Sequence, residues 1–204
     1  MNEKAKITLS VKEQELVCNT DWILTKHAII QKVFLLFGEL SAFMQAAIIK
    51  EKEQLPVEVT SSQPKISKGE NYGSLPYVML DYPRCFQKDK TIAIRTFFWW
   101  GNFFSINLQL SGAYKEHLLP ALQSSFSKLQ QNDYWICVSD NPWEHHFEAD
   151  NYHPLTKITE EMFSSILHRE PFVKIAKKIP LTQWEQAPAL MEQSFTELLL
   201  LLKN

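Results

Sequence analysis

Half of the six histidines of this chain fall within ten residues, Glu144 to His153, alongside the carboxylates Glu144, Glu148 and Asp150. Imidazole and carboxylate are the usual protein ligands of zinc, iron and manganese. His145, His146, Glu148, Asp150 and His153 are therefore candidate metal ligands. An extended backbone would send His146, Glu148 and Asp150 to one face. A helical one would align Glu144 with Glu148, or His146 with Asp150. The spacing matches neither H-E-x-x-H nor another zinc pattern. Asn141-Pro142 before the segment and His153-Pro154 after it favour a solvated polar loop. A complete metal site would draw a further ligand from elsewhere, and His117 or His168 could supply one.

A second candidate lies on two predicted strands, Thr91 to Trp99 and Phe103 to Ser111. A two-residue turn at Gly101-Asn102 would pair Trp100 with Phe103 and mix apolar with polar residues on both faces. A three-residue loop, Trp100 to Asn102, instead sets Phe98 opposite Phe104, Thr96 opposite Ile106 and Ile94 opposite Leu108. That register is preferred because it gives one continuously apolar face. The other face then carries Arg95, Phe97, Trp99, Phe103, Ser105, Asn107 and Gln109. It reads either as a polar sheet face whose aromatic end is covered by a loop or a second subunit, or as a ligand platform. On a platform Arg95 and Asn107 would supply hydrogen bonds and Trp99 an apolar wall. Lys68 and Asn71, in the glycine-bearing stretch Ser67 to Ser74, could act as a lid, and so could Arg84. Asp81 and Arg84 are placed to pair with each other or to face Arg95 across the sheet. The glycine-bearing stretch lacks G-x-x-x-x-G-K-[ST], and a strand follows it, which excludes a P-loop.

Other catalytic patterns are absent. There is no G-x-S-x-G elbow, no G-x-G-x-x-G, and no cysteine with a neighbouring histidine in sequence. Cys18, Cys85 and Cys137 are odd in number and scattered, as expected of free thiols in a reducing cytosol. With 21 basic and 23 acidic residues the net charge is −2, so nucleic-acid binding through overall positive charge is excluded. At 45% hydrophobic and 22% charged, the composition is that of a globular domain rather than a disordered chain. The charged start, Met1 to Thr8, does not read as a signal peptide. Polar residues interrupt the apolar stretch from Ala28 to Ile49, which leaves no run of ~18 apolar residues for a membrane span.

The elements that must position these residues read as follows. Ser10 and Glu13 form a capping box for a short helix, and Asp21 is the expected N-cap of a long one, Trp22 to Lys52. That helix is apolar around much of its circumference, as a central helix is. Gly38 in its middle marks either a break or a close crossing. Residues 55–71, with two prolines, three serines and a glycine, read as a long loop or linker. Strands are expected at Tyr77 to Asp81, Tyr134 to Ser139 and Phe172 to Ile179, with helices at Tyr114 to Gln130, Thr159 to His168 and from Thr182 onward. The expectation is a single α+β domain over residues 1–204, with one antiparallel sheet of about four to five strands. Long N-terminal and C-terminal helices should pack on the apolar face of that sheet.

The functional expectation is a cytoplasmic, non-catalytic binding module for a small molecule or a protein partner. No motif implies a cofactor, and neither nucleic acid nor membrane is an expected partner. The alternatives are a hydrolase-like metal-dependent enzyme using segment 144–153, and a homo-oligomer joined through the aromatic hairpin tip at Trp100 or through the leucine run Leu198 to Leu202.

Overall fold

The computed structural model describes residues 7–203. The charged start of the chain, residues 1–6, lies outside the described residues, as does residue 204. Among the described residues the chain forms one antiparallel sheet with helices from both ends of the chain on one face. The sheet has seven strands rather than four or five, in the order β1-β2-β3-β4-β7-β5-β6. They are β1 (Lys65–Tyr72), β2 (Leu75–Phe86), β3 (Thr91–Trp99), β4 (Phe103–Ser111), β5 (Trp135–Cys137), β6 (Tyr152–Pro154) and β7 (Phe172–Pro180).

The two uncounted strands are both at sheet edges. The polar stretch that reads as a linker holds the short helix α3 (Val57–Thr60) and ends in β1. An edge strand pairs on one side only, and β1 buries no residue fully, so its sequence carries no apolar alternation. At the far edge, β6 is three residues long and occupies the end of the histidine-rich segment.

The central hairpin has the three-residue loop. Trp99 pairs with Phe103, Phe98 with Phe104, Thr96 with Ile106 and Ile94 with Leu108. Gly101 in the loop adopts φ +73°, a left-handed conformation that a side chain disfavours. The apolar face of the hairpin, including Ile92, Ile94, Phe98, Ile106, Leu108 and Leu110, is completely covered. α2 (Thr20–Lys50) and α7 (Ala187–Leu200) lie on it. Val33, Phe37, Leu40 and Met44 of α2 recur at three- and four-residue steps and are buried. The expected capping box at Ser10 and Glu13 opens α1 (Val11–Cys18), which buries no residue. The N-cap of α2 is Asn19, whose side chain accepts from the Trp22 amide, rather than Asp21. α2 runs unbroken through Gly38, and among the described residues no atom outside the adjoining helix backbone lies within 4 Å of where a Gly38 Cβ would be. Leu198, Leu199, Leu201 and Leu202 of the terminal run face the core.

Between β4 and β7 the chain makes α4 (Ala113–Ser124), α5 (Phe126–Gln131), the β5–β6 pair and α6 (Glu160–Arg169). Thr159 caps α6 as expected, accepting from the Met162 amide. The segment joining β5 to β6, residues 138–151, turns back across the polar face of the sheet.

Candidate functional site

The strand registers lay the polar face out in rows. One row runs Asp81, Arg95, Asn107, Ala176, Trp135, Pro154, each paired with the next across neighbouring strands. A parallel row sets Ala93, Gln109 and Lys174 side by side. Alternation on β7 explains Lys174. Val173 and Ile175 enter the helical side of the core, so Lys174 and Ala176 must point the other way.

This face is covered, not open. Arg95, Asn107 and Lys174 are all buried. Arg95 forms a two-pronged ion pair with Asp81, Nε to Oδ1 at 2.6 Å and Nη2 to Oδ2 at 3.1 Å. Its guanidinium also lies 5.6 Å from the ring centres of both Phe86 and Trp143. The cover is held down by Tyr72 of β1. The Tyr72 hydroxyl accepts from the amides of His145 (2.6 Å) and His146 (3.1 Å) and donates to the Glu144 carboxylate (3.1 Å). Burial, more than the neighbouring carboxylate, holds this phenol above its ordinary pKa.

His145 is buried within the cover, and it sits between two basic side chains. Arg95 Nη1 is 3.2 Å from its Nε2, and Lys174 Nζ is 3.4 Å from its Nδ1. Arginine can only donate, so Nε2 must accept, and the ring proton is on Nδ1. That proton points at Lys174. The Lys174 amine meanwhile donates to the carbonyls of Pro142 (3.0 Å) and Glu144. A neutral amine has two N–H bonds and one lone pair, which this environment matches in full. An ammonium would turn its third N–H against the imidazole proton. Burial first, with Arg95 adding to it, brings the Lys174 pKa down to about 7 against the opposing pull of Cys137 and Glu144. Burial, then Lys174, Arg95 and His146, holds His145 well below the usual histidine range. Cys137, whose thiol approaches Asn151 Oδ1 at 3.5 Å, is pushed up by burial.

The candidate ligands of the sequence reading are thus dispersed. Arg95 and Asn107 meet, with Asn107 Nδ2 donating to the Arg95 carbonyl at 3.3 Å, but beneath the cover. Trp99 is half-buried and its indole N–H donates to the Tyr72 carbonyl at 2.9 Å. Arg84 is exposed near the β1 edge, its Nε on the Gln63 carbonyl at 3.1 Å. It does not pair with Asp81, which belongs to Arg95. Lys68 and Asn71 are exposed on β1, so they form part of a strand rather than a lid. The metal candidates separate in the same way. The ring nitrogens of His145 face the Arg95 guanidinium and the Lys174 amine, which withdraws it from any metal set. The His146 ring lies 3.7 Å from Glu144 and 3.9 Å from Asp150. Glu148 is exposed, and His153 donates to the Ala149 carbonyl at 3.1 Å. Among the described residues no three histidine, cysteine, aspartate or glutamate side chains are grouped so as to hold a metal ion.

Beside the cover, at the β5–β6 edge, a cavity of about 470 Å³ is lined by Trp135, Phe147, Tyr152, Pro154, Ile158 and Met162, with His153 and Lys157 also on its wall. Phe147 and Tyr152 stack within it, 4.6 Å apart and 14° from parallel. None of the residues singled out on the central hairpin reaches this cavity. Its signal in the sequence was the aromatic spacing Trp135, Phe147, Tyr152, which only the β5–β6 pairing brings together. A larger hollow of about 680 Å³ between α4 and α6 is lined by Gln123, Glu160, Glu161, Phe163, Ser164, Ser165 and His168. No protein-family model matches this chain, and no curated protein or solved structure matches it.

Proposed function

We propose that the protein is a cytosolic, non-catalytic binding module for a small molecule, specifically a planar apolar one that carries an acidic group. The observation that carries this reading is the aromatic cavity at the β5–β6 edge. Its volume and its aromatic and aliphatic walls suit a small ligand, and Lys157 places a cation beside it. One further feature favours binding over catalysis, and another accords with the cytosol. The Lys174 and His145 side chains, which could do acid–base chemistry, are buried and spend their hydrogen-bonding groups on each other and on the cover. The three cysteines are free thiols, in keeping with a reducing compartment.

Isothermal titration with naphthoate tests the reading. Saturable one-to-one binding is expected. Met162→Trp, which fills the cavity from an exposed helix position, should weaken it at least tenfold. Lys157→Met should weaken naphthoate while leaving uncharged naphthalene unaffected. Absence of saturable binding, or binding indifferent to Met162→Trp, would overturn the proposal.

A further inference from the structure

Helix α2 has a second apolar face. The first, with Val33, Phe37, Leu40 and Met44, packs on the sheet. On the opposite side Leu24, Ala28, Leu35, Ala42, Ala46 and Ile49 form a straight stripe, and every one of them is exposed. Leu24, Leu35 and Ile49 keep 60%, 69% and 72% of their surface in contact with solvent. Ala28, Leu35, Ala42 and Ile49 are spaced seven residues apart, the repeat with which one helix lies along another. Gly38, beside the stripe, faces open space.

The order of residues along this stripe from Leu24 to Ala46 is self-complementary. Leu24 and Ala46 are each eleven residues from Leu35, and Ala28 and Ala42 are each seven residues from it. The charges bordering one side of the stripe follow the same symmetry. Lys32 is three residues before Leu35 and Glu39 four after it; Asp21 is fourteen before and Lys50 fifteen after. A two-fold axis through Leu35 therefore sets Leu24 against Ala46, Ala28 against Ala42 and Leu35 against itself. It keeps the charged border on the same side in both copies. Lys32 then lies beside Glu39 of the other copy, and Asp21 beside Lys50, each pair offset by one residue, about 1.5 Å. All four charged residues are exposed and free to reach across. Lys32 and Glu39 are two turns apart on their own helix, too far to pair within it.

We propose that two copies of this chain associate through α2, antiparallel, about a two-fold axis at Leu35. Such an interface is isologous, the commonest kind in soluble oligomers. The small residues Ala28, Ala42 and Ala46 let the helix backbones approach closely, which gives the outward-facing Gly38 a purpose that this chain alone does not. The hollow between α2 and α7, bordered by Phe43, Ala46 and Leu200, continues the apolar surface at one end of the stripe. The proposal is independent of the ligand cavity. It also moves the oligomer contact away from the hairpin tip, where Trp100 already packs edge-on against Trp22 of the same chain. Despite the polar residues that interrupt its apolar stretch, α2 is long and apolar enough by length and composition alone to cross a bilayer, in contrast to the expectation from its sequence. The alternation of charge along its border, matched in sign and position about one point, favours a second copy instead.

The test is sedimentation equilibrium of the full chain without detergent, across a hundredfold range of concentration. A dimer is expected for the wild type. Leu35→Glu, at an exposed position, should give a folded monomer with unchanged circular dichroism. Lys32→Glu and Glu39→Lys should each weaken the dimer by tenfold or more, since each places like charges together twice. The double exchange Lys32→Glu/Glu39→Lys should restore it, a rescue that only this register produces. A monomer at every concentration would overturn the proposal. So would a dimer unaffected by Leu35→Glu, or single charge changes that the double exchange does not rescue. Wild-type binding to phosphatidylcholine vesicles that Leu35→Glu abolishes, in place of dimerisation, would assign the stripe to a membrane and equally overturn it.

Discussion

Asp81→Ala is expected to destabilise the protein by about 3–5 kcal/mol, the usual cost of removing one partner of a buried ion pair. The Arg95 and Asp81 side chains are only 10% and 11% exposed, and Arg95 cannot shed its proton. Without Asp81 its charge would be left facing a neutral imidazole and the rings of Phe86 and Trp143. Most of the loss therefore comes from an uncompensated buried charge rather than from the pair's own attraction. This distinction has a consequence of its own. The double replacement Asp81→Leu/Arg95→Met removes both charges and should recover most of the stability, as apolar replacements of buried pairs commonly do. Urea unfolding of the wild type and both variants measures this. An Asp81→Ala loss below about 1 kcal/mol would show that solvent reaches Arg95 and that the cover does not seal.

The second large effect concerns pH. Lys174 is fully buried and releases its proton near pH 7 when folded, against about 10.4 in an unfolded chain. Below pH 7 both states hold the proton, and the cost of burying it is present in full. Between pH 7 and about 10.4 the unfolded chain binds a proton that the folded one does not, so stability should climb with pH. The limiting slope for one group is about 1.4 kcal/mol per pH unit, which makes the gain several kcal/mol across the window. His145 continues the trend on the acid side. Its folded pKa is depressed below 6.5, so below that value the unfolded state takes the extra proton and stability falls further. Lys174→Met should flatten the profile between pH 7 and 10. It also leaves the Pro142 and Glu144 carbonyls without their donor, which lowers stability by ~1–3 kcal/mol per group at every pH without changing the slope. Urea midpoints across the pH series separate the two effects. A Lys174→Met profile as steep as the wild type would mean that Lys174 stays charged in the folded protein.

Which of these features the sequence revealed follows from how each residue is buried. The central hairpin was legible to the residue, because Ile94, Thr96 and Phe98 can share one face with Phe104, Ile106 and Leu108 in a single register. The polar composition of the opposite face, with Arg95 and Asn107 on it, was legible for the same reason. That the face would be closed was not. The closing residues Tyr72, His145 and Lys174 come from β1, the cover and β7, and their meeting depends on a sheet order in which β7 inserts beside β4. β1 escaped notice because an edge strand need not alternate, and β6 because three residues hold no period. Lys174 did leave a trace. It alternates with Val173 and Ile175, which assigns it to the face of Asn107 once the neighbouring strand is known. The aromatic cavity left less, since Trp135, Phe147 and Tyr152 are separated by a turn whose path their sequence does not specify. The long helix was read as a central one because it is apolar around much of its circumference, but its exposed Leu24, Leu35 and Ile49 make it a surface helix. One of its faces serves the sheet and the other does not.

The insertion of β7 beside β4 also bears on the order in which the molecule assembles. Strands β1 to β4 form a meander whose partners are near neighbours in the chain. Joining β4 to β7 closes a loop of roughly 60 residues, at an entropic cost that the hairpin contacts never meet. The meander should therefore form first, with Arg95 already beside Asp81 but still in water. Lys174 arrives with β7, and segment 138–151 can fold over the pair only once β5 has docked on β7. Dehydration of the charged groups then falls late, after the rate-limiting barrier, so substitutions in the cover should accelerate unfolding and leave refolding rates nearly unchanged. Pulse-labelled hydrogen exchange during refolding should show β2 to β4 amides protected before those of β5 to β7. Simultaneous protection of both groups would mean that the sheet closes in one step.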